Sequence, residues 1–117
     1  TDTFDNDLGI EGNGSYQSNG SEVEVREFEK KYRARYHGET PDSMAPLAYD
    51  ATLIVAEAIA RAGTTEGPKL RDALAATKNF PGVTGRTSID AQRNASKSAV
   101  ILAVKNGRAT YVETIDP

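Results

Sequence analysis

The chain of 117 residues contains no cysteine and has a single histidine. The lack of cysteine excludes disulfide bonds, thiolate metal sites and a cysteine nucleophile, and it fits the cytosol and a bacterial periplasm equally well. With one histidine, the sequence offers no histidine metal cluster and no choice of partners for a Ser-His-Asp triad. That residue, His37, lies between Tyr36 and Gly38 at a predicted helix end, and we interpret it as part of the C-terminal cap.

Large apolar side chains are also scarce. The chain has no tryptophan and three phenylalanines, its hydrophobic fraction is 38%, and its mean hydropathy is -0.54. A chain of this length predicts one domain, and the low apolar content indicates a piece of something larger. The net charge of -3 predicts no general attraction to nucleic acid or to an anionic membrane surface.

The first residues, TDTFDNDLG, include neither a start methionine nor a signal peptide or lipidation motif. We therefore expect a mature, trimmed or excised product. If the parent protein is exported, its signal is expected upstream.

The most apolar stretch is residues 41–63, which we predict to be the helix around which the chain is organised. Pro41 and an Asp42/Ser43 pair able to cap a helix open it, and Gly63 is a natural residue to end it. Three residues near or beyond its middle are charged: Asp50, Glu57 and Arg61. So few charges predict a helix covered on most sides. The stretch is too short, too rich in alanine and too interrupted by charge to span a membrane.

One shorter helix is predicted on each side of it. Residues 22–38, EVEVREFEKKYRARYHG, carry apolar side chains at steps of three, four and four: Val25, Phe28, Tyr32 and Tyr36. Ser21 and Glu24 have the spacing of a capping box at the start of this helix. The cations in its later turns are typical of a solvated helix end rather than a nucleic-acid site. Residues 69–78, KLRDALAATK, form the other helix, with Pro68 in its first turn.

The remaining segments favour strands and turns. Residues 10–18, IEGNGSYQS, are a weak strand candidate, and residues 79–85, NFPGVTG, read as a turn-rich connector that leaves Phe80 and Val83 to fill a core. Three later segments read as strands: TSID, SAVILAVK and RATYVETI. The Asn106-Gly107 pair between the last two predicts a β-hairpin. Three helices and a hairpin leave the central helix without a full cover, which a parallel sheet from elsewhere would supply.

No enzyme signature emerges from the sequence. Asp50 and Asp90 are single acids without a partner nearby in sequence, whereas paired-carboxylate catalysis needs two. The segment Gly82 to Gly85, GVTG, lacks the following lysine and the helix of a phosphate-binding loop. We therefore predict that the chain is not an enzyme, with no metal or cofactor.

Taken together, three segments resemble a known family: residues 28–63 (FEKKYRARYHGETPDSMAPLAYDATLIVAEAIARAG), 70–90 (LRDALAATKNFPGVTGRTSID) and 97–115 (KSAVILAVKNGRATYVETI). They strongly resemble the C-terminal third of the type I periplasmic binding proteins. Within that family they are most similar to the leucine/isoleucine/valine-binding branch that serves ABC transporters. The resemblance covers roughly residues 22 to 115, and its most specific parts are the Tyr49-Asp50-Ala51 helix and the connector that leads to Asp90.

The resemblance implies an α/β fold: part of a flavodoxin-like lobe of a two-lobe protein, with a C-terminal β-hairpin. Residues 9–18 would include a hinge crossing between the lobes. Residues about 20–85 would supply helices of the first lobe, and residues about 86–117 would form the terminal strands. The parallel sheets of that family would cover the central helix.

The function implied by the resemblance is that of an exported, periplasmic or extracytoplasmic solute-binding protein. It would hold an amino acid or small organic acid by hinge closure and present it to an ABC transporter permease. Of the family's ligand contacts, one matched stretch lies in this chain, where Met44 would form an apolar wall and Ser43 and Ala45 would be weaker neighbours.

Two other functions stay open from the sequence. The same fold also serves as the ligand-sensing domain of receptors and regulators. Alternatively, a chain with an uncovered apolar helix would associate with a second copy as a homodimer, or with an upstream fragment of the same protein.

Overall fold

The computed structural model of the protein describes residues 6–7, 10–11 and 22–117. Three helices and seven short strands follow one another: β1 (Asn6–Asp7), β2 (Ile10–Glu11), α1 (Glu22–Arg35), α2 (Met44–Ala62), α3 (Gly67–Ala75), β3 (Phe80–Gly82), β4 (Gly85–Ile89), β5 (Ala95–Ser96), β6 (Ala99–Lys105) and β7 (Arg108–Ile115). The strands form three small antiparallel sheets, β1–β2, β3–β4–β5 and β6–β7. The mixture of helix and strand agrees with the predicted α/β class.

Helix α1 packs through the face that the sequence predicts. Val25 and Phe28 are buried together with Val83, and Tyr32, Ala45 and Tyr49 pack around them. The ring centroids of Phe28 and Tyr49 are 5.0 Å apart in an edge-to-face arrangement, which stabilises aromatic pairs beyond their buried area. The core of the chain therefore lies between α1, the first half of α2 and the segment after β3.

The end of α1 explains the position of the single histidine. His37 has a φ of 55° and Gly38 a φ of 86°, and the Gly38 amide donates to the carbonyl of Arg33 at 2.8 Å. This bond reaches back five residues and closes the helix with left-handed residues, as in a Schellman motif. His37 thus belongs to the C-terminal cap, as predicted.

The described residues cover part of the surface of helix α2. One face is buried, with four residues at steps of four: Pro46, Asp50, Ile54 and Ala58. Leu47, Leu53 and Val55 on other faces are exposed. Within the described residues, α1, α3 and the β3–β4 turn lie against one face of the helix, so the cover expected on its other sides would have to come from elsewhere, as the sequence analysis expects. Its predicted end is confirmed, since Gly63 has a φ of 70° and donates to the Ile59 carbonyl at 2.8 Å.

Helix α3 ends at Ala75, three residues before the predicted end. Thr77 leaves the helix and is buried, and its carbonyl accepts a bond of 3.0 Å from the Ile89 amide on β4. Arg61 of α2 donates through Nη2 to the Ala73 carbonyl at 2.6 Å, which satisfies a carbonyl in the last turn of α3. The hydrogen bond from Ile89 therefore holds Thr77 outside helix α3.

The segment predicted as a connector is the start of a hairpin. Strand β3 pairs with β4 around a two-residue turn, Val83-Thr84, and both Phe80 and Val83 are buried as predicted. Of the strand predicted at TSID, residues 87–89 lie in β4, and Asp90 follows the end of the strand.

The terminal hairpin is confirmed. Strands β6 and β7 pair from Ala99 opposite Ile115 to Lys105 opposite Arg108, with one irregularity beside Leu102. Asn106 and Gly107 have φ of 51° and 75°, the two left-handed residues of a type I′ turn. None of the side chains in β6 or β7 is buried.

Three sequence predictions fall wholly or partly outside the described residues. They are the Ser21 capping residue, the weak strand candidate at residues 10–18, and the hinge crossing at residues 9–18. Within that last range, Ile10 and Glu11 pair with Asp7 and Asn6.

Candidate functional site

The predicted ligand-binding residues lie together at the start of α2. Asp42 Oδ1 accepts bonds of 2.9 Å from the amides of both Met44 and Ala45. Asp42 is therefore the functional cap of the helix, while Ser43 makes no side-chain capping bond. The sequence predicted that the Asp42/Ser43 pair can cap the helix, and the structure shows that Asp42 is the residue that does so.

The three predicted residues have different surroundings. Met44 is 66% exposed, Ser43 is exposed, and Ala45 is half-buried against the core around Phe28. Because Asp42 already occupies the first amides of the helix, this terminus is not a free receptor for a carboxylate. What it presents to solvent is the flexible thioether of Met44, which suits contact with an apolar group.

Deeper in α2, Asp50 is the centre of a hydrogen-bonded cluster that the sequence analysis did not predict. The side chain is 3% exposed, and its carboxylate accepts three hydrogen bonds from the β3–β4 turn. Oδ1 accepts from the Val83 amide at 2.8 Å, and Oδ2 accepts from the Thr84 amide at 2.9 Å and the Thr84 hydroxyl at 2.6 Å. A buried carboxylate with this many donors is well satisfied, so the contact fixes the turn against the helix.

The residue before the turn must be small because of this contact. A β-carbon placed on Gly82 would lie 2.6 Å from Asp50 Cγ, well inside the normal separation of two carbon atoms. Gly82 itself has no left-handed φ, so close approach rather than backbone conformation requires glycine here. The acid inside an apolar helix was visible in the sequence, but its partners lie more than 30 residues away.

A lysine extends the cluster toward the C-terminal part of the chain. Lys97 Nζ donates to Thr84 Oγ1 at 2.9 Å, so the hydroxyl accepts from the lysine while it donates to Asp50. Burial lowers the pKa of Lys97, and the nearby Asp50 carboxylate opposes that change. With its proton and a lone pair both engaged, the Thr84 hydroxyl serves as a structural link.

Two cavities in the described part of the chain lie away from these residues. A cleft of about 670 Å³ separates α3 from the end of β4, and a groove of about 450 Å³ runs between α1 and α2. In the cleft Arg71 pairs with Asp72, and Lys78 donates to the Ile89 carbonyl at 3.3 Å, so much of its charged rim is already engaged. Neither cavity includes Met44.

Residues 6–7, 10–11 and 22–117 contain neither a metal-binding cluster nor a membrane-spanning helix. No group of three or more histidine, cysteine, aspartate or glutamate side chains there is placed to hold a metal ion. None of the described helices is long and apolar enough to cross a membrane.

Comparison with solved structures finds close likenesses. The leucine-binding protein LivK of Thermotoga maritima is 33% identical over 84% of this chain, with a TM-score of 0.69. LivJ of Streptococcus pneumoniae, a branched-chain amino acid transporter substrate-binding protein solved in complex with isoleucine, is 38% identical over 88%, with a TM-score of 0.69. A putative branched-chain amino acid ABC transporter from Rhodospirillum rubrum is 35% identical over 84%, with a TM-score of 0.67.

The chain spans 28 to 29% of the length of these three structures. A search of curated proteins finds no match. A family model described as periplasmic binding protein matches residues 10–109. That match covers most of the sequence, and the structural likenesses agree with it: the chain belongs to the periplasmic binding protein family.

Proposed function

We propose that the chain is the C-terminal segment of a two-lobe solute-binding protein that delivers branched-chain or related small amino acids to an ABC transporter. The observation that carries the proposal is the 33 to 38% identity to three solved proteins whose names refer to leucine binding, isoleucine or branched-chain amino acid transport. In this proposal residues 9–18 include a hinge crossing, residues about 20–85 belong to the first lobe, and residues about 86–117 form the terminal strands.

The exposed apolar side chains of the chain support a larger protein around it. On α2, Leu47 and Val55 face away from the elements that cover the helix, and the terminal hairpin exposes Ile101, Leu102 and Tyr111. Many large apolar side chains left exposed on two elements are more typical of surfaces that a larger protein covers than of free surface. The remaining lobes would cover it.

The proposed role is binding without catalysis. An amino acid held between two lobes stabilises their closed form, and the permease recognises closure. The protein would act in the periplasm or another extracytoplasmic space after export. In this chain Met44 would form part of the apolar wall around the ligand side chain, with Ser43 and Ala45 beside it. The exposed thioether at the start of α2 supports this assignment.

A thermal-shift screen of the full-length protein against the common amino acids tests the proposal. A ligand that binds the folded state alone raises the melting temperature in proportion to the logarithm of its concentration. We expect leucine, isoleucine and valine to raise it, and aspartate and lysine to leave it unchanged. The isolated chain is the control, since one wall of a cleft should bind no tighter than about 1 mM. A melting temperature unmoved by every amino acid would refute the ligand assignment.

A further inference from the structure

The connector that leads into the terminal hairpin is tied to helix α2 by two consecutive hydrogen bonds. Lys97 and its neighbour Ser98 join β5 to β6. The Lys97 ammonium donates to the Thr84 hydroxyl at 2.9 Å, and that hydroxyl donates to Asp50 Oδ2 at 2.6 Å. Asp50 is in turn held by two backbone amides of the β3–β4 turn. The connector is thereby linked to a buried carboxylate that accepts three hydrogen bonds.

Within the described residues, the hairpin has little else to fix its direction, and the link at its root places it where the rest of the two lobes would cover it. All side chains of β6 and β7 are exposed or half-buried, so the hairpin contributes no side chain to the core. An element of this kind takes its orientation mainly from its root. Lys97, half-buried at that root, is placed to set it.

We propose that Lys97 is a positioning residue: through Thr84 it fixes the connector to α2 and holds the terminal hairpin in the orientation that ligand binding requires. This inference rests on the proposed function of a two-lobe binding protein. When the link is broken, the connector samples more orientations and a smaller fraction of molecules is competent to close on the ligand. Apparent affinity falls by that fraction although neither residue contacts the ligand.

The first experiment compares two substitutions of Thr84 in the full-length protein. Thr84→Val removes the hydroxyl but keeps the shape and the backbone bond to Asp50, whereas Thr84→Ser keeps the hydroxyl. By isoleucine calorimetry we expect Thr84→Val to bind about fivefold more weakly than wild type, and Thr84→Ser to bind as wild type does. Equal affinities of the two variants would overturn the proposal.

Lys97→Met tests the other end of the same bond. It should weaken isoleucine binding, and the double variant should be no weaker than Thr84→Val alone, because the loss of the Thr84 hydroxyl already breaks the bond to Lys97. Lys105→Met is the matched control, since Lys105 is an exposed lysine in β6, and it should leave affinity unchanged. Effects of Lys97→Met and Thr84→Val that add, or an equal loss in the control, would contradict the link.

An experiment without ligand distinguishes this inference from the proposed function. Trypsin cuts after lysine, and the rates of cleavage after Lys97 and after Lys105 can be followed by mass spectrometry in the ligand-free full-length protein. Thr84→Val should accelerate cleavage after Lys97 relative to Thr84→Ser, and leave cleavage after Lys105 unchanged. If Thr84→Val accelerates cleavage after Lys97 alone and the protein binds no amino acid, the proposed function is refuted and the link between Lys97 and Thr84 stands. Equal acceleration at both sites, or none, would overturn the link.

Discussion

The contact between Gly82 and Asp50 allows a quantitative test of how the chain is held together. A methyl group added at Gly82 would lie 2.6 Å from Asp50 Cγ, about 1 Å closer than two carbon atoms pack. The carboxylate must therefore move, and it then loses alignment with the amides of Val83 and Thr84. Overpacking of this kind costs about 1–3 kcal/mol, and weakening hydrogen bonds to a charged group adds to it. We expect Gly82→Ala to lower the free energy of unfolding by about 3 kcal/mol.

A double-mutant cycle identifies the carboxylate as the cause. Asp50→Ala alone removes the acceptor of three donors, one of them on the buried Val83, and should cost about 3–4 kcal/mol. It also vacates the space that the new methyl group needs. In the Asp50→Ala background, Gly82→Ala should therefore cost less than about 1 kcal/mol, which is a coupling of about 2 kcal/mol.

Asp50→Asn is the matched control for volume. The amide keeps the size of the carboxylate, so Gly82→Ala should remain as damaging in this background as in wild type. Urea unfolding followed by circular dichroism gives the free energies for the full-length protein. A Gly82→Ala penalty that is equal in the Asp50→Ala and Asp50→Asn backgrounds would show that the methyl group clashes with something else, and it would refute the steric explanation.

Three further predictions address the helices and the ligand site. Arg61→Met removes the bond from Nη2 to the Ala73 carbonyl and should cost about 1 kcal/mol in urea unfolding; no change would show that the bond is not stabilising. Burial, followed by nearby acids, raises the pKa of Tyr32 above 10.0, so the folded state keeps this proton to higher pH than the unfolded chain. Stability is unaffected by Tyr32 below pH 10.0 and falls as the pH rises through the folded pKa; Tyr32→Phe should remove this part of the alkaline loss, and identical alkaline profiles would contradict it. Met44→Asp should weaken isoleucine binding by at least about tenfold while Met44→Leu stays within about threefold, and equal affinities would place Met44 outside the site.

Local signals in the sequence predicted the elements well. The Asn106-Gly107 pair predicted the terminal hairpin because few residues other than glycine and asparagine readily adopt the two left-handed conformations. The apolar spacing of α1 predicted that Val25, Phe28 and Tyr32 meet the core, although Tyr36 on the same face is exposed. Gly63 marked the end of α2. Each of these features depends on residues within a few positions of one another.

The sequence did not predict contacts between residues that lie far apart in the chain. Asp50 looked like a lone acid because its partners, Val83 and Thr84, lie 33 and 34 residues away. Thr77 looked helical because nothing nearby in sequence shows that its carbonyl pairs with Ile89. The cover of α2 on its exposed sides stays a prediction, because composition reports how apolar a helix is and not which part of a larger protein buries it. The predicted ligand residues around Met44 stay a prediction.

Isothermal titration of isoleucine into the full-length protein tests the central proposal most directly. A two-lobe binding protein of this family should show saturable binding of one isoleucine per protein, with a negative change in heat capacity as apolar surface is buried. Met44→Asp, measured beside it, should reduce the affinity without lowering the melting temperature of the free protein. A folded wild-type protein that gives no binding heat at several temperatures, with isoleucine, leucine or valine, would contradict the account.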